Sequence, residues 1–167
     1  MFGIVDWDGS NVDGEGVFVL GGETRDEIEN YIFDPLLLGI FLFREMICSA
    51  EDLKLDQKTT YIDVKQLGCD DLQKIVDSVI LKVSAKVSPT NLEATELLYV
   101  GGYKLRGAQW YLITGGHELQ KAVCEAFPNL NDFKGSLPGK LLNMVLGDLP
   151  DFVPMDILEL FQKIQNG

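Results

Sequence analysis

The segment from Pro35 to about Ile47 constrains the fold of this chain more than any other. It reads PLLLGIFLFREMI, and its apolar residues surround a helix on every side instead of forming one stripe. Such a helix must be enclosed by other elements, and its apolar run is too short to span a bilayer. The sequence therefore predicts a buried helix and no membrane-spanning segment.

A second helix is predicted from Asp70 to about Lys86. Apolar side chains recur there at the i, i+3, i+4, i+7 spacing of one helix face, and polar side chains occupy the other face. The apolar face consists of Leu72, Ile75, Val76, Val79, Ile80 and Val83. We expect this face to be buried.

Short apolar runs between turn-forming residues predict strands. FGIVDWD (2–8) predicts a buried strand that ends in a polar loop, and GVFVLGG (16–22) predicts a second strand. TELLYVGGYKL (95–105) predicts a hairpin that turns at Gly101 and Gly102. QWYLIT (109–114) indicates a possible further strand.

Helix signals accompany these strands. Thr24 is a candidate N-cap, with Glu27 three residues later, and a helix is predicted from His117 to Ala126. Two last helices are predicted in PGKLLNMVLGDLP (138–150) and PMDILELFQKIQ (154–165), the second capped by Asp156. Together these patterns predict an α/β or α+β fold, a small sheet flanked by helices with a β-hairpin insertion, in one domain over residues 1–167.

Acidic residues dominate the charge. The 167-residue chain has a net charge of −12, and residues 1–34 contain nine acidic residues and one basic residue, Arg25. Affinity for nucleic acid comes mainly from Lys and Arg at phosphates, so metal ions or another polypeptide would have to supply positive charge. Three scattered cysteines and the lack of a basic signal region favour a reducing cytoplasm.

Asp6 and Asp8 are candidate metal ligands. Residues i and i+2 of a strand point the same way, and open α/β sheets bind ligands at the carboxyl ends of their strands. Two carboxylates at this spacing suit Mg²⁺ or Mn²⁺, and Glu29 supplies a further oxygen soon afterwards. The alternative is a solvated strand end, and for Asp26 and Glu27 helix capping is a sufficient explanation.

Several of these pieces together resemble a known family. VDWD, EIENYIFDP, WYLITGGHELQKAV and PGKLLNMVLGDLPDFVPMDILELFQKI resemble the C-terminal region of ATPase-linked nucleases of the OLD (overcoming lysogenization defect) type, in which the nuclease is a Toprim domain. The resemblance implies that Asp6 and Asp8 bind the catalytic divalent metals and that Glu29 is an additional ligand. It also implies that Lys140 assists at the phosphate.

The chain also differs from the family pattern at its start. A Toprim domain begins with a strand and a glutamate before the D-x-D strand, and an ATPase domain precedes it, whereas this chain starts three residues before that strand. We therefore expect a domain fragment, weak or inactive alone, of an Mg²⁺-dependent DNA endonuclease. Its partners would be DNA, bound through metal ions, and an ATPase in cis or in trans. The alternatives are a non-catalytic interaction module with the same fold and an unrelated Mg²⁺-dependent phosphoryl-transfer protein.

Overall fold

Seven helices and four strands make up the described part of the chain in a computed structural model, which covers residues 3–7, 10–21, 24–133 and 135–166. The strands are β1 (Gly3–Asp6), β2 (Val17–Leu20), β3 (Ala94–Leu98) and β4 (Lys104–Ala108). The helices are α1 (Ile28–Ile32), α2 (Pro35–Arg44), α3 (Cys69–Val87), α4 (Gln109–Ile113), α5 (Gly116–Ala126), α6 (Leu137–Asp148) and α7 (Met155–Asn166). Short 3-10 segments cover Tyr61–Gln66, Pro128–Phe133 and Pro150–Phe152. The mixture of helices with two small sheets confirms the predicted fold class.

Helix α2 is the buried helix that the sequence predicts. The Asp34 side chain accepts hydrogen bonds from the backbone N–H groups of Leu36 and Leu37, and Pro35 occupies the first turn. Every residue from Pro35 to Leu42 is buried. The helix ends at Arg44, three residues before the predicted end, and it packs against α3.

Helix α3 confirms the predicted apolar face. It starts one residue before the predicted Asp70 and ends at Val87. Five of the six predicted residues are buried, and Ile80 is partly buried against them. Gly39 of α2 lies directly over Ile75 and Val79, so the two helices approach closely at this point.

The strands form two separate pairs. β1 and β2 are parallel, with Gly3 opposite Val17 and Asp6 opposite Leu20. β3 and β4 are antiparallel and form the predicted hairpin, in which Gly102 adopts a φ of 82° that favours glycine.

The prediction of a further strand in QWYLIT is wrong, because residues Gln109–Ile113 form α4. A strand would turn alternate side chains to opposite faces, whereas the helical turn buries Trp110, Tyr111 and Leu112 in succession. The Tyr111 hydroxyl donates a hydrogen bond to the Phe33 carbonyl oxygen at 2.9 Å, which attaches α4 to the start of α2.

Two predicted caps are also wrong. Thr24 does not cap a helix, because α1 begins at Ile28 with Glu27 as its N-cap. Asp156 lies inside the first turn of α7, and its carboxylate accepts hydrogen bonds from the hydroxyls of Thr24 and Tyr31. The hydrogen bonds from Thr24 and Tyr31 to Asp156 therefore connect α7 to the segment before α2. Across the described residues, no helix combines the length and the apolarity needed to cross a bilayer.

Candidate functional site

Asp6 is the last residue of β1 and lies at the carboxyl end of the parallel pair. Its carboxylate accepts a hydrogen bond from the backbone N–H of Ile28, the first residue of α1. Its backbone carbonyl accepts a hydrogen bond from the Asn11 side chain at 2.7 Å. The half-buried Asp6 side chain is therefore held at the N-terminus of α1.

The surroundings of Asp6 raise the pKa of its carboxyl group above the ordinary value. Burial is the largest cause, and the negative charges of Glu29 and Glu27 act in the same direction. The hydrogen bond from the Ile28 N–H acts in the opposite direction without cancelling them. The charges of Glu27 and Glu29 therefore act on Asp6 where β1 ends and α1 begins.

Glu27 and Glu29 meet over a glycine at the start of α5. A Cβ atom placed on Gly116 would lie 2.7 Å from Oε2 of Glu27 and 2.7 Å from Oε2 of Glu29. The Oε2 atoms of Glu27 and Glu29 are therefore separated by no more than twice 2.7 Å. The same Cβ would lie 2.7 Å from the Cβ of Glu29, so glycine at this position allows α1 to approach α5 closely. The positive end of the α5 dipole favours the charge of both glutamates.

Asn30 holds this arrangement together. It is fully buried, and its side-chain oxygen accepts a hydrogen bond from the Glu27 N–H at 2.9 Å. Its side-chain nitrogen donates to the carbonyl oxygen of Thr114 at 2.9 Å and, at a longer 3.4 Å, to that of Tyr111. Because Thr114 immediately precedes Gly115 and Gly116, Asn30 fixes the glycine pair beside the two glutamates.

Arg25 is the only basic residue among the first 34, and it does not neutralise this group. Its guanidinium is buried and donates to Oδ2 of Asp34 at 2.7 Å and to the Asn30 carbonyl oxygen at 2.6 Å. Burial opposes its charge, but Asp34 more than compensates, so the pKa of Arg25 is raised. Among the described residues, no cationic side chain forms an ion pair with Asp6, Glu27 or Glu29.

Asp26 adds a fourth acid beside this group. Burial, followed by the charge of Glu27, raises the pKa of its carboxyl group. Its Oδ1 atom is buried and has no hydrogen-bond partner in the described part of the chain. The acids between β1 and α1 thus lack a counter-charge supplied by those residues, which is the environment that a bound cation would relieve.

The structure brings together only part of the predicted site. Asp6 lies close enough to Glu29 for the Glu29 charge to raise its pKa, whereas Asp8 lies outside the described residues. The exposed Lys140 lies on α6, and its ammonium sits 4.2 Å from the centre of the Phe133 ring. No group of three His, Cys, Asp or Glu side chains within the described ranges has the geometry to hold a metal ion.

Glu27 and the Gly115–Gly116 pair are contributors to the site that local sequence does not predict. The sequence predicts helix capping for Glu27, which is correct, but the same side chain also faces Gly116. Gly115 and Gly116 are predicted only to lead into a helix. Two adjacent glycines before a helix are a signal of close approach, but nothing local identifies which side chains approach them.

Comparison of the chain with protein-family models, with curated proteins and with solved structures finds no significant match. The resemblance to OLD-type nucleases therefore stays a hypothesis, and the functional inference depends on the acidic site.

Proposed function

We propose that this chain is a Toprim-like domain that binds Mg²⁺ or Mn²⁺ through Asp6, Asp8 and Glu29 and serves phosphodiester hydrolysis in a DNA endonuclease of the ATPase-linked OLD type. The observation that carries the proposal is that the charges of Glu29 and Glu27 act on Asp6 at the carboxyl end of β1. Carboxylate oxygens are the ligands that these hard cations prefer.

The donor chemistry of the site fits a divalent cation. Burial, and after it the charges of Glu29 and Glu27, disfavours the ionised form of Asp6 and raises its pKa. A divalent ion would remove this repulsion, and when bound it would activate water and neutralise charge on a phosphate. Asp6 and Glu29 would hold the ion, and Asn30 and Gly116 would keep the glutamates oriented toward it.

In this proposal Lys140 assists at the phosphate. Its ammonium now contacts the Phe133 ring, so it would have to leave that contact to reach a substrate. Glu27 becomes a further candidate ligand, because its oxygen shares the space above Gly116 with that of Glu29.

Calorimetric titration with MnCl₂ tests the metal site directly. We expect Asp6→Asn and Glu29→Gln each to weaken Mn²⁺ binding by about tenfold or more, since each removes a charged ligand. Glu96→Gln is the matched control, because it makes the same change of charge at an exposed position of β3. Equal affinity in all three variants and the parent would contradict the proposal.

Plasmid nicking with Mg²⁺ and Mn²⁺ tests the activity. We expect little or no nicking by the chain alone, because it carries a net charge of −12 and two-metal hydrolysis needs a full ligand set. Asp6→Ala with Asp8→Ala is the control for contaminating nucleases. Robust nicking that those substitutions abolish would show a complete site in this chain, and the expectation of a fragment would be wrong.

A non-catalytic interaction module is the second candidate function. It is favoured by the exposure of β1, whose side chains at Ile4 and Val5 are more accessible than expected for a parallel strand. The titration separates the two candidates, because a purely interacting module has no need of an Asp6-dependent metal site.

A further inference from the structure

One edge of the parallel sheet has no strand beside it among the described residues. The Gly3 N–H donates to the Gly16 carbonyl oxygen at 2.8 Å, so the backbone groups of Gly3 face β2. Backbone direction alternates along a parallel strand, and the N–H and C=O of Ile4 therefore face away from β2. None of the described residues pairs with Ile4 on that side. Asp6, the next residue with this direction, has its carbonyl oxygen bonded to the Asn11 side chain.

The opposite edge of the sheet is closed by the chain itself. The Val17 N–H and C=O are bonded to the backbone of Gly14, and the Val19 N–H donates to Oδ1 of Asp13 at 2.8 Å. Lys163 of α7 bonds the same Asp13 carboxylate at 2.9 Å. An additional strand therefore has only the β1 edge available among the described strands of this sheet.

An apolar groove lies beside the open edge. Its volume is about 300 Å³, and residues of β1, α1, α6 and α7 line it, among them Ile4, Ile28, Leu142, Ile157 and Phe161. Ile4 is 52% exposed and Phe161 is 54% exposed. A strand added next to β1 would lie about 4.8 Å away and would direct every second side chain over this groove.

Charge indicates the chemistry of the occupant. The groove is apolar, but the carboxylate of Asp6 accepts a hydrogen bond from the N–H of Ile28, which lines the groove, and the charges of Glu27 and Glu29 act on Asp6. Pairing with the β1 edge of a second copy across a two-fold axis would be antiparallel, and β1 of that copy has no basic side chain to place beside these acids. The net charge of −12 also opposes self-association. An occupant with lysine or arginine at that end complements the surface.

We propose that the β1 edge and the groove beside it bind an extended segment of a partner protein, which adds a third strand to the sheet. The segment has apolar residues at alternate positions to fill the groove and basic residues that neutralise Asp6 and Glu29 when no metal ion is bound there. Main-chain hydrogen bonds to Ile4 supply affinity, and the alternating side chains and the basic end supply specificity.

Fluorescence anisotropy with synthetic peptides tests this proposal. The probes are peptides of about eight residues that alternate valine and threonine, with a pair of lysines at either the C-terminal or the N-terminal end. The two placements correspond to a parallel and an antiparallel third strand. We expect saturable binding of at least one probe, weakened by added salt because its basic end pairs with carboxylates.

Three comparisons define the result. Ile4→Asp should weaken binding by about tenfold or more, whereas Ile62→Asp, the same change at a residue that is 80% exposed elsewhere, should have no effect. Circular dichroism checks that both variants fold. N-methylation of alternate peptide backbone nitrogens should abolish binding, because it removes the donors that pair with Ile4.

The proposal would be overturned if no probe bound saturably, or if Ile4→Asp or N-methylation left the affinity unchanged. Sedimentation provides the remaining test. A dimer of the unliganded chain that Ile4→Asp dissociates would identify a second copy as the occupant, and the partner-strand proposal would be wrong.

Discussion

Replacement of Arg25 by methionine tests how the segment around the acidic site is anchored. The Arg25 and Asp34 side chains are only 3% and 0% exposed, and 2.7 Å separates their charged groups. Arg25 also stacks over the Tyr31 ring at 4.7 Å and contacts Asp156 at 4.0 Å. Arg25→Met would leave the Asp34 carboxylate buried without its cation.

The expected cost follows from this geometry. Removing one partner of a buried ion pair destabilises a protein by about 3–5 kcal/mol. Asp34 would keep its hydrogen bonds from Tyr99 and from the first turn of α2, so we expect the lower end, about 3 kcal/mol. For a chain of this length, that loss lowers the melting temperature by about 6–12 °C.

Urea and thermal unfolding followed by circular dichroism measure the loss. Arg44→Met is the matched control, because Arg44 is 38% exposed and its contacts to Glu45 and Asp148 are 3.8 and 3.7 Å long. That variant should lose about 1 kcal/mol or less. Arg25→Met with Asp34→Asn should be more stable than Arg25→Met alone, because the unpaired charge is gone. If Arg25→Met costs no more than Arg44→Met, the ion pair does not anchor this segment.

Three further predictions concern the core and the site. Gly39→Ala should lower the free energy of unfolding by about 1–2 kcal/mol in urea denaturation, because the new Cβ would overlap Ile75, whereas Gly147→Ala, with open space around it, should not destabilise α6. Val79→Asp should cost several kcal/mol by burying an unpaired charge, and a variant that melts like the parent would contradict the core assignment. The pKa of Asp6 is raised above its ordinary value of 3.8, so between pH 3.8 and the folded-state pKa the folded protein holds a proton that the unfolded chain has lost. The contribution of Asp6 to stability should therefore be complete below pH 3.8 and should be lost as pH rises through the folded-state pKa. Asp6→Asn should remove this pH dependence from the unfolding free energy, and a parallel profile in both proteins would refute the assignment.

Some of the fold was readable from local pattern. The α3 face from Leu72 to Val83 repeats at helical spacing, and the side chains between Pro35 and Leu42 are so uniformly apolar that only burial satisfies them. The turn at Gly102 was predictable for a similar reason, since its backbone conformation favours glycine. In each case the determining interactions join residues close in sequence.

Other features depended on distant contacts. The segment QWYLIT carries residues suited to a strand, but burial of Trp110, Tyr111 and Leu112 together stabilises a helical turn. Thr24 has the chemistry of a helix cap, yet its hydroxyl bonds Asp156, which lies 132 residues away. Local propensity is weak compared with such tertiary contacts, and packing therefore decided these elements.

Local pattern predicted the helical core, a strand in the segment around Asp6 and the excess of acid in the first 34 residues. Tertiary structure alone decided that Glu27 and Glu29 face Gly116 and that Arg25 is committed to Asp34. The physical reason is the range of the interactions. Periodicity indicates which face of a single element is buried, whereas a site forms where several elements meet. The buried side chain of Asn30, for example, joins α1 to Thr114, which lies 84 residues away in the sequence.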